Sequence, residues 1–424
     1  MRSLLLDTTP LRTSPAFARL WLGLAVANLG AQLTVVAVGL QVYALTGSTL
    51  AVGVLGICAL VPLVVFGLYG GAISDRHDRR TVALVASVIS WTVTLGLVAQ
   101  ALAGNRSVGV LYALVAVQSA AGAVNGPARG AIVPRLLEPQ QMPAANALQT
   151  LGFNVALTGG PLLGAVLVAA VDYALAYGLD AVLFTVALLA LWRLPPIPPE
   201  SEVRSRSGFH AVVDGLRYLA TQPNVRMTFL VDIAAMLSMP RVLFPAVGVM
   251  FLGGGAATTG ALTAAIAAGG ILASLLSGGL TRVRWQGRVI AWAITGWSLA
   301  VVAFGVILVV AGRTAPSRVV WPALLAAFLV LAIAGASDSV SSVFRNTILQ
   351  TATPDAMRGR LQGIFLVVVA GGPRVGELFV GALSERVTEG WAAVVAGSLS
   401  AALMWLLVRR QRRFWRYDAH HPEP

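Results

Sequence analysis

Lysine is missing from this chain: all 30 basic residues are arginine. Cysteine occurs once, at Cys58 inside an apolar run, which excludes an internal disulfide framework and a cysteine-ligated metal cluster. The four histidines are scattered, with His77 in a short loop, His210 in a polar segment and His420 and His421 in the C-terminal tail. No spaced Cys/His ligand set, Walker sequence or Gly-x-Ser-x-Gly elbow is present, so no catalytic residue, metal or cofactor is expected. Charge is scarce as well, at 11% of 424 residues, while 57% are apolar and the mean hydropathy is +0.80. That balance excludes an ordinary soluble domain and leaves the lipid bilayer as solvent. Between Met1 and Pro15, Asp7, Pro10 and Arg12 interrupt the pattern of a cleavable signal, so the first apolar run is expected to span.

Twelve apolar runs have roughly the 20-residue length that a bilayer core demands. They fall near 17–45, 50–72, 81–103, 107–129, 144–170, 173–193, 225–251, 258–280, 288–312, 319–344, 361–384 and 390–409. The break between the fifth and sixth rests on Asp172 and Tyr173 alone. The net charge of +13 would suggest nucleic acid in a soluble protein. Here the arginines sit in loops and tails, and no nucleic-acid partner is expected. One set of loops holds Arg76, Arg79, Arg80, Arg129, Arg135, the central segment, Arg282, Arg284, Arg288, Arg345, Arg358 and Arg360, and both tails join it. The opposite side keeps only Arg106, Arg313, Arg318 and Arg386. By the positive-inside rule both termini are cytoplasmic, in a multi-pass plasma (inner) membrane protein.

Residues 194–224 form the one long polar interruption. A proline run leaves the sixth span, and Phe209, Val212, Val213, Leu216, Tyr218 and Leu219 then recur at helical spacing. This predicts a linker followed by an amphipathic helix at the cytoplasmic interface. The expected organisation is a six-helix bundle over 1–193, this linker, a second bundle over 225–409 and a cytoplasmic tail over 410–424. The halves echo one another: Pro139-Gln-Gln-Met142 matches Pro354-Asp-Ala-Met357, and Arg129 and Arg345 precede them at similar distances. The loop from Gly279 to Arg288 reads as an eroded copy of the loop at Gly71–Arg80, with Val283 where the earlier copy has an acid.

Ionisable residues inside the spans carry the strongest functional signal, because each costs about 2.5–3.5 kcal/mol at the bilayer centre. They are Asp180, Asp232, Arg241, Asp338, Arg374 and Glu377. Arg374 and Glu377 share a helix face, as a structural pair or as a proton-exchanging acid beside an anion-holding cation. Arg241 follows Pro240 with no partner within a turn, and Asp338 lies on a small polar face suited to lining a cavity. Asp180 and Asp232 lie nearer span ends, where hydration favours a bland role. Asn28 and Gln32, at i and i+4 of the first span, offer a neutral hydrogen-bonding stripe that suits interhelical bonds and substrate contact equally.

The stretch Gly71-Ala-Ile-Ser-Asp75-Arg76-His-Asp78-Arg79-Arg80 between the second and third spans resembles the loop signature of the major facilitator superfamily, with Asp78 where that family has glycine. Gly159-Gly160-Pro161-Leu-Leu-Gly164 resembles the Gly-Pro-x-x-Gly element of its drug:proton antiporters. Three longer stretches, Asn125–Pro134, Met142–Leu148 and Gly371–Glu377, resemble the branch that holds the enterobactin exporter and related drug-efflux proteins. The resemblance implies an all-α fold of twelve transmembrane helices in two pseudo-symmetric six-helix bundles. It also implies proton-driven export of a small amphipathic drug or siderophore-like metabolite by alternating access, from a monomer that uses the proton gradient. Gly71, Asp75, Arg76, Arg79 and Arg80 are then the expected cytoplasmic gate, and Gly160, Pro161 and Gly164 the expected helix bend. Asp338, Arg374, Glu377, Arg241, Asn28 and Gln32 are expected to line the cavity or couple protons. The rival readings are uptake of a small solute and a non-transporting membrane receptor or scaffold.

Overall fold

The structure is a computed structural model and describes residues 8–138, 141–198, 208–275, 283–419 and 421, leaving out some side chains within helices. The chain opens with the short helix α1 (Thr9–Thr13). Spanning helices follow: α2 (Pro15–Thr46), α3 (Thr49–Arg76), α4 (Arg79–Leu102), α5 (Val108–Leu136), α6 (Met142–Ala170) and α7 (Tyr173–Trp192). After α8 (Gly208–Thr221) come α9 (Pro223–Met236), α10 (Phe244–Met250), α11 (Gly255–Leu275) and α12 (Gln286–Ala311). The chain ends through α13 (Trp321–Thr351), α14 (Asp355–Ser384), α15 (Glu389–Arg410) and α16 (Arg412–Trp415).

Among the described residues, 11 helical segments are long and apolar enough to cross a membrane. The 30-residue α14 has the length for a twelfth, and it carries Arg374 and Glu377. The contacts divide the chain into two compact units: Met1–Leu45 with Cys58–Gly208, and Thr46–Ile57 with Phe209–Pro424.

Most of the element boundaries follow from local chemistry. The thinly marked break between fifth and sixth spans is real: Asp172 caps α7 by accepting a 2.7 Å hydrogen bond from the Leu175 N–H. The seventh span, expected as one run over 225–251, is broken. Pro240 offers no N–H and drives Met239 into an extended conformation, so the chain passes from α9 through a 3-10 turn over Pro240–Leu243 into α10. Polar side chains settle the break. Ser238 Oγ donates to the Ala235 carbonyl and accepts from Trp297 Nε1 at 3.0 Å.

Two helices run further than expected. α5 continues to Leu136 and α13 to Thr351, so Arg129 and Arg345 lie within helices and not in loops. Their arginines had made these segments look like water-side turns.

Close helix approach holds each unit together, as packing in lipid requires. In the second unit a Cβ at Gly335 would strike the Ile266 carbonyl, and one at Gly269 the Ala332 carbonyl, so α11 and α13 touch backbone to backbone. Ser298 and Ser400 share a 2.9 Å hydrogen bond between α12 and α15, and Ser400 Oγ also donates to Ala234 O of α9 at 2.7 Å. A large apolar core built on Phe229, Phe244, Trp297, Phe304 and Phe344 fills this unit. In α8, Leu219 is buried and Gly215 abuts Ile364 of α14, while Leu216 is exposed. The side chains of Phe209 and Val212 lie outside the described ones.

Candidate functional site

The densest set of charges in the spans lies in the second unit. Asp338 and Arg345 are seven residues apart on α13, two turns along one face. Arg345 Nη2 donates to Asp338 Oδ1 at 3.2 Å, and Nη1 donates a short hydrogen bond to Asp232 Oδ1 on α9. Arg345 and Asp232 side chains are 4% and 1% exposed, whereas Asp338 is 50% exposed. One guanidinium thus holds a buried carboxylate with one hand and an accessible one with the other. Asp232 Oδ2 and Arg345 Nε have no hydrogen-bond partner. Such a cluster is stable only while both signs are present, since a lone charge at this depth loses its compensation.

Two sequence expectations change here. Arg345 is a buried ion-pair partner and not an orientation charge, because α13 carries it past the predicted end of the tenth span. Asp232 is no hydrated end residue either; its carboxylate is sequestered beside Arg345. The i to i+7 spacing of Asp338 and Arg345 was the available signal. The Asp232 contact bridges 113 positions and has no local signature.

Arg374 and Glu377 stand on α14, whose backbone presses on the first part of α3. A Cβ at Gly53 would lie 3.0 Å from the Glu377 carbonyl, and one at Gly56 would lie 3.4 Å from both Arg374 Cδ and Glu377 Oε2. Glycines on α3 therefore make room for this charged face. Among the described residues neither Arg374 nor Glu377 is in an ion pair. No described hydrogen bond joins them to the Arg345 cluster. Arg241, at the broken seventh span, is half-buried with an unpartnered Nε. Gly372 and Gly376 on α14 pack against Met236 at the end of α9.

In the first unit, the side chains of Asp75 and Arg76 in the expected gate lie outside the described ones, as does Gly71 beyond its backbone. The remaining arginines clamp helix ends. Arg79 Nη1 donates to Ala131 O near the end of α5, and Arg80 Nη2 to Trp192 O at the last residue of α7. Asp78, the departure from the family signature, has a clear task. Its carboxylate caps α4 by accepting from Thr81 N–H at 2.7 Å and Thr81 Oγ1 at 2.9 Å, and it holds Ile197 N–H at 2.5 Å. Burial works to raise the Asp78 pKa, but these hydrogen bonds and the nearby Arg80 outweigh it and hold the carboxyl below its usual range.

Gly160 and Gly164 pack on α2: Cβ atoms there would lie 2.8 Å from the Leu29 carbonyl and 2.7 Å from the Leu33 carbonyl. Pro161 sits between them inside α6. Gln32 abuts Gly160, and Asn28 lines a cavity of about 330 Å³ with Trp21, Gln149 and Phe153. This cavity is half-open and mainly apolar, with two amides for orientation. Deeper in the same unit, the buried Asp180 carboxyl accepts a 2.7 Å hydrogen bond from Thr34 Oγ1. Sequence position had marked Asp180 as a peripheral residue, yet it is 1% exposed.

The eroded loop copy regains its acid from elsewhere. Arg284 Nε and Nη2 both donate to Asp418 Oδ2 of the tail, at 2.9 and 2.7 Å, and Arg288 stacks over Trp285 and Trp415. The Asp418 carboxylate holds the Arg284 pKa above its ordinary value.

Comparison with known proteins agrees with this architecture. The family model described as "Transmembrane secretion effector" matches residues 7–422. The enterobactin exporter EntS of Citrobacter koseri is 29% identical over 417 residues, covering 97% of this chain and 96% of that protein. EntS of Salmonella typhimurium is likewise 29% identical over 420 residues, with 97% of each chain covered. Among solved structures, the nucleoside transporter NupG aligns with a TM-score of 0.70 at 12% identity, over 95% of this chain and 99% of NupG. A peptide transporter POT in complex with sulfate aligns at 0.72 and 12% identity, over 95% of each chain. The structural matches show the fold and the family match shows the lineage. The chain therefore belongs to the transmembrane secretion effector family of the major facilitator superfamily, as a multi-pass membrane transporter and not an enzyme.

Proposed function

We propose that the protein is a secondary active exporter of a small amphipathic compound, a drug or siderophore-like metabolite, driven by proton antiport with alternating access. The observation that carries the reading is the Asp232–Arg345–Asp338 cluster: costly charges held inside apolar helices, with one carboxylate half-exposed. Export as the direction is supported by the relatives named as enterobactin exporters. In this reading the two bundles, 1–193 and 225–409, alternate around a central path, joined by residues 194–224. Asp338, Arg374, Glu377 and Arg241 line that path or couple it, and Asn28 and Gln32 give it neutral contacts. Asp75 with Arg76, Arg79 and Arg80 closes the cytoplasmic end next to Gly71, and Gly160, Pro161 and Gly164 let α6 seat on α2. Both termini face the cytoplasm, and a monomer suffices.

The test is accumulation of ethidium and of a catecholate siderophore in everted membrane vesicles under an imposed acid-inside gradient. The reading expects gradient-dependent accumulation of at least one probe, abolished by a proton ionophore. Accumulation that ignores the ionophore removes proton coupling. Gradient-driven entry into intact cells favours uptake, and binding without counterflow favours a receptor.

A further inference from the structure

Asp180 lies two turns into α7, and its surroundings differ from those of every other acid described in the spans. From α2, Thr34 Oγ1 donates to Oδ2, and Gly30 leaves the space into which the carboxyl fits; a Cβ there would collide with Oδ1. From α4, the Thr94 hydroxyl is the other near polar group. Oδ1 has no hydrogen-bond partner. Among the described residues no cation reaches the site. The only arginine on α2 is Arg19, 11 residues before Gly30, about 16 Å along the axis. Those on α4 are Arg79 and Arg80, at least 14 residues before Thr94, about 21 Å away along the helix. α6 carries no charged residue at all. The remaining titratable groups on α7 itself are Tyr173 and Tyr177. Tyr177 Oη donates a hydrogen bond to Gln41 Oε1 at 2.7 Å, and Gln41 and Gln100 are locked together by reciprocal amide hydrogen bonds of 3.3 and 3.1 Å. These groups are neutral, so a carboxylate here would be an uncompensated charge in a dry site.

We infer that Asp180 is a proton-binding site: it holds a proton in the conformation described here and gives it up when the α2–α7 contact opens to water. The step is a plain acid dissociation, in which the Asp180 O–H bond breaks, the proton passes to water, and the carboxylate is hydrated until it is reprotonated from the opposite side. This rests on the proton-antiport reading and adds to it the group that carries the proton in the first unit. A purely structural acid would remain neutral throughout the cycle, like an amide.

The full-length protein, reconstituted in lipid, allows the two cases to be separated by infrared spectroscopy without knowing the substrate. The wild type is expected to show a protonated-carboxyl C=O band that titrates between mildly acidic and alkaline buffer. Asp180→Asn removes the band, and Thr34→Val, which deletes one hydrogen bond while keeping the acid and its shape, shifts its frequency. In vesicles, Asp180→Asn should lose about tenfold or more of gradient-driven ethidium accumulation while ethidium counterflow persists, since exchange needs no net proton movement. Preserved counterflow also shows that the variant is folded. An unchanged band in Asp180→Asn, or a band that never titrates, overturns the assignment. Absence of gradient-driven accumulation of any probe in the wild type overturns the antiport reading and the coupling role with it, even where the band itself behaves as expected.

Discussion

Arg129 and Arg345 occupy matching places in the two halves of the chain, 216 positions apart, and their environments have diverged. Arg345 grips two carboxylates. Among the described residues Arg129 finds only the Ser87 hydroxyl, at 2.9 Å, which it shares with Asn125 Nδ2 at 3.1 Å. Asp180, a buried acid of the first unit, sits on another helix beside Thr34 and Thr94. In the second unit Arg345 is thus neutralised by pairing, whereas in the first Arg129 and Asp180 stand apart. Paired charges behave as clamps, because removing one exposes the other. Separated charges hold less of the fold together and are freer to change state.

That contrast orders the expected effects. Arg345→Met should be the most damaging, lowering stability by about 3–5 kcal/mol because it strands Asp232 in the core, and this is read as a fall in detergent melting temperature. Adding Asp232→Leu should restore part of the loss; no recovery would break the idea that the pair is mutually dependent. Gly335→Ala, which drives a Cβ into the Ile266 carbonyl, should cost about 1–3 kcal/mol by the same measurement. Asp78→Ala removes the cap of α4 and the tie to Ile197, for a loss of about 0.5–2 kcal/mol. Its pH dependence has a definite sign. The folded pKa lies below the unfolded value of about 3.9, so the contribution is complete above that value and is lost as pH falls through the folded pKa. Arg129→Gln should change stability least, because no described carboxylate depends on it; a loss as large as that of Arg345→Met would erase the comparison.

The fold was legible because length and hydropathy are local properties, and the spans at 144–170 and 173–193 coincide closely with α6 and α7. Charge alone misled where it was read as topology. Arg129 and Arg345 looked like loop residues, yet helix propagation draws both into the spans, where side-chain partners replace water. The break at Pro240 could have been anticipated from the missing N–H and the constraint on Met239. The Asp232–Arg345 pair could not, since only tertiary packing brings α9 to α13. Asp78 was visible only as a departure from a family signature; its capping geometry gives the physical reason for the acid. Likewise Val283 marked an eroded loop, and the acid that now meets Arg284 comes from Asp418, 134 positions away.

Substrate-driven proton release, followed with a pH dye in weakly buffered proteoliposomes, tests the account most directly. The account predicts release by the wild type and its loss in Asp180→Asn, with counterflow intact. Release that survives undiminished in Asp180→Asn would contradict it.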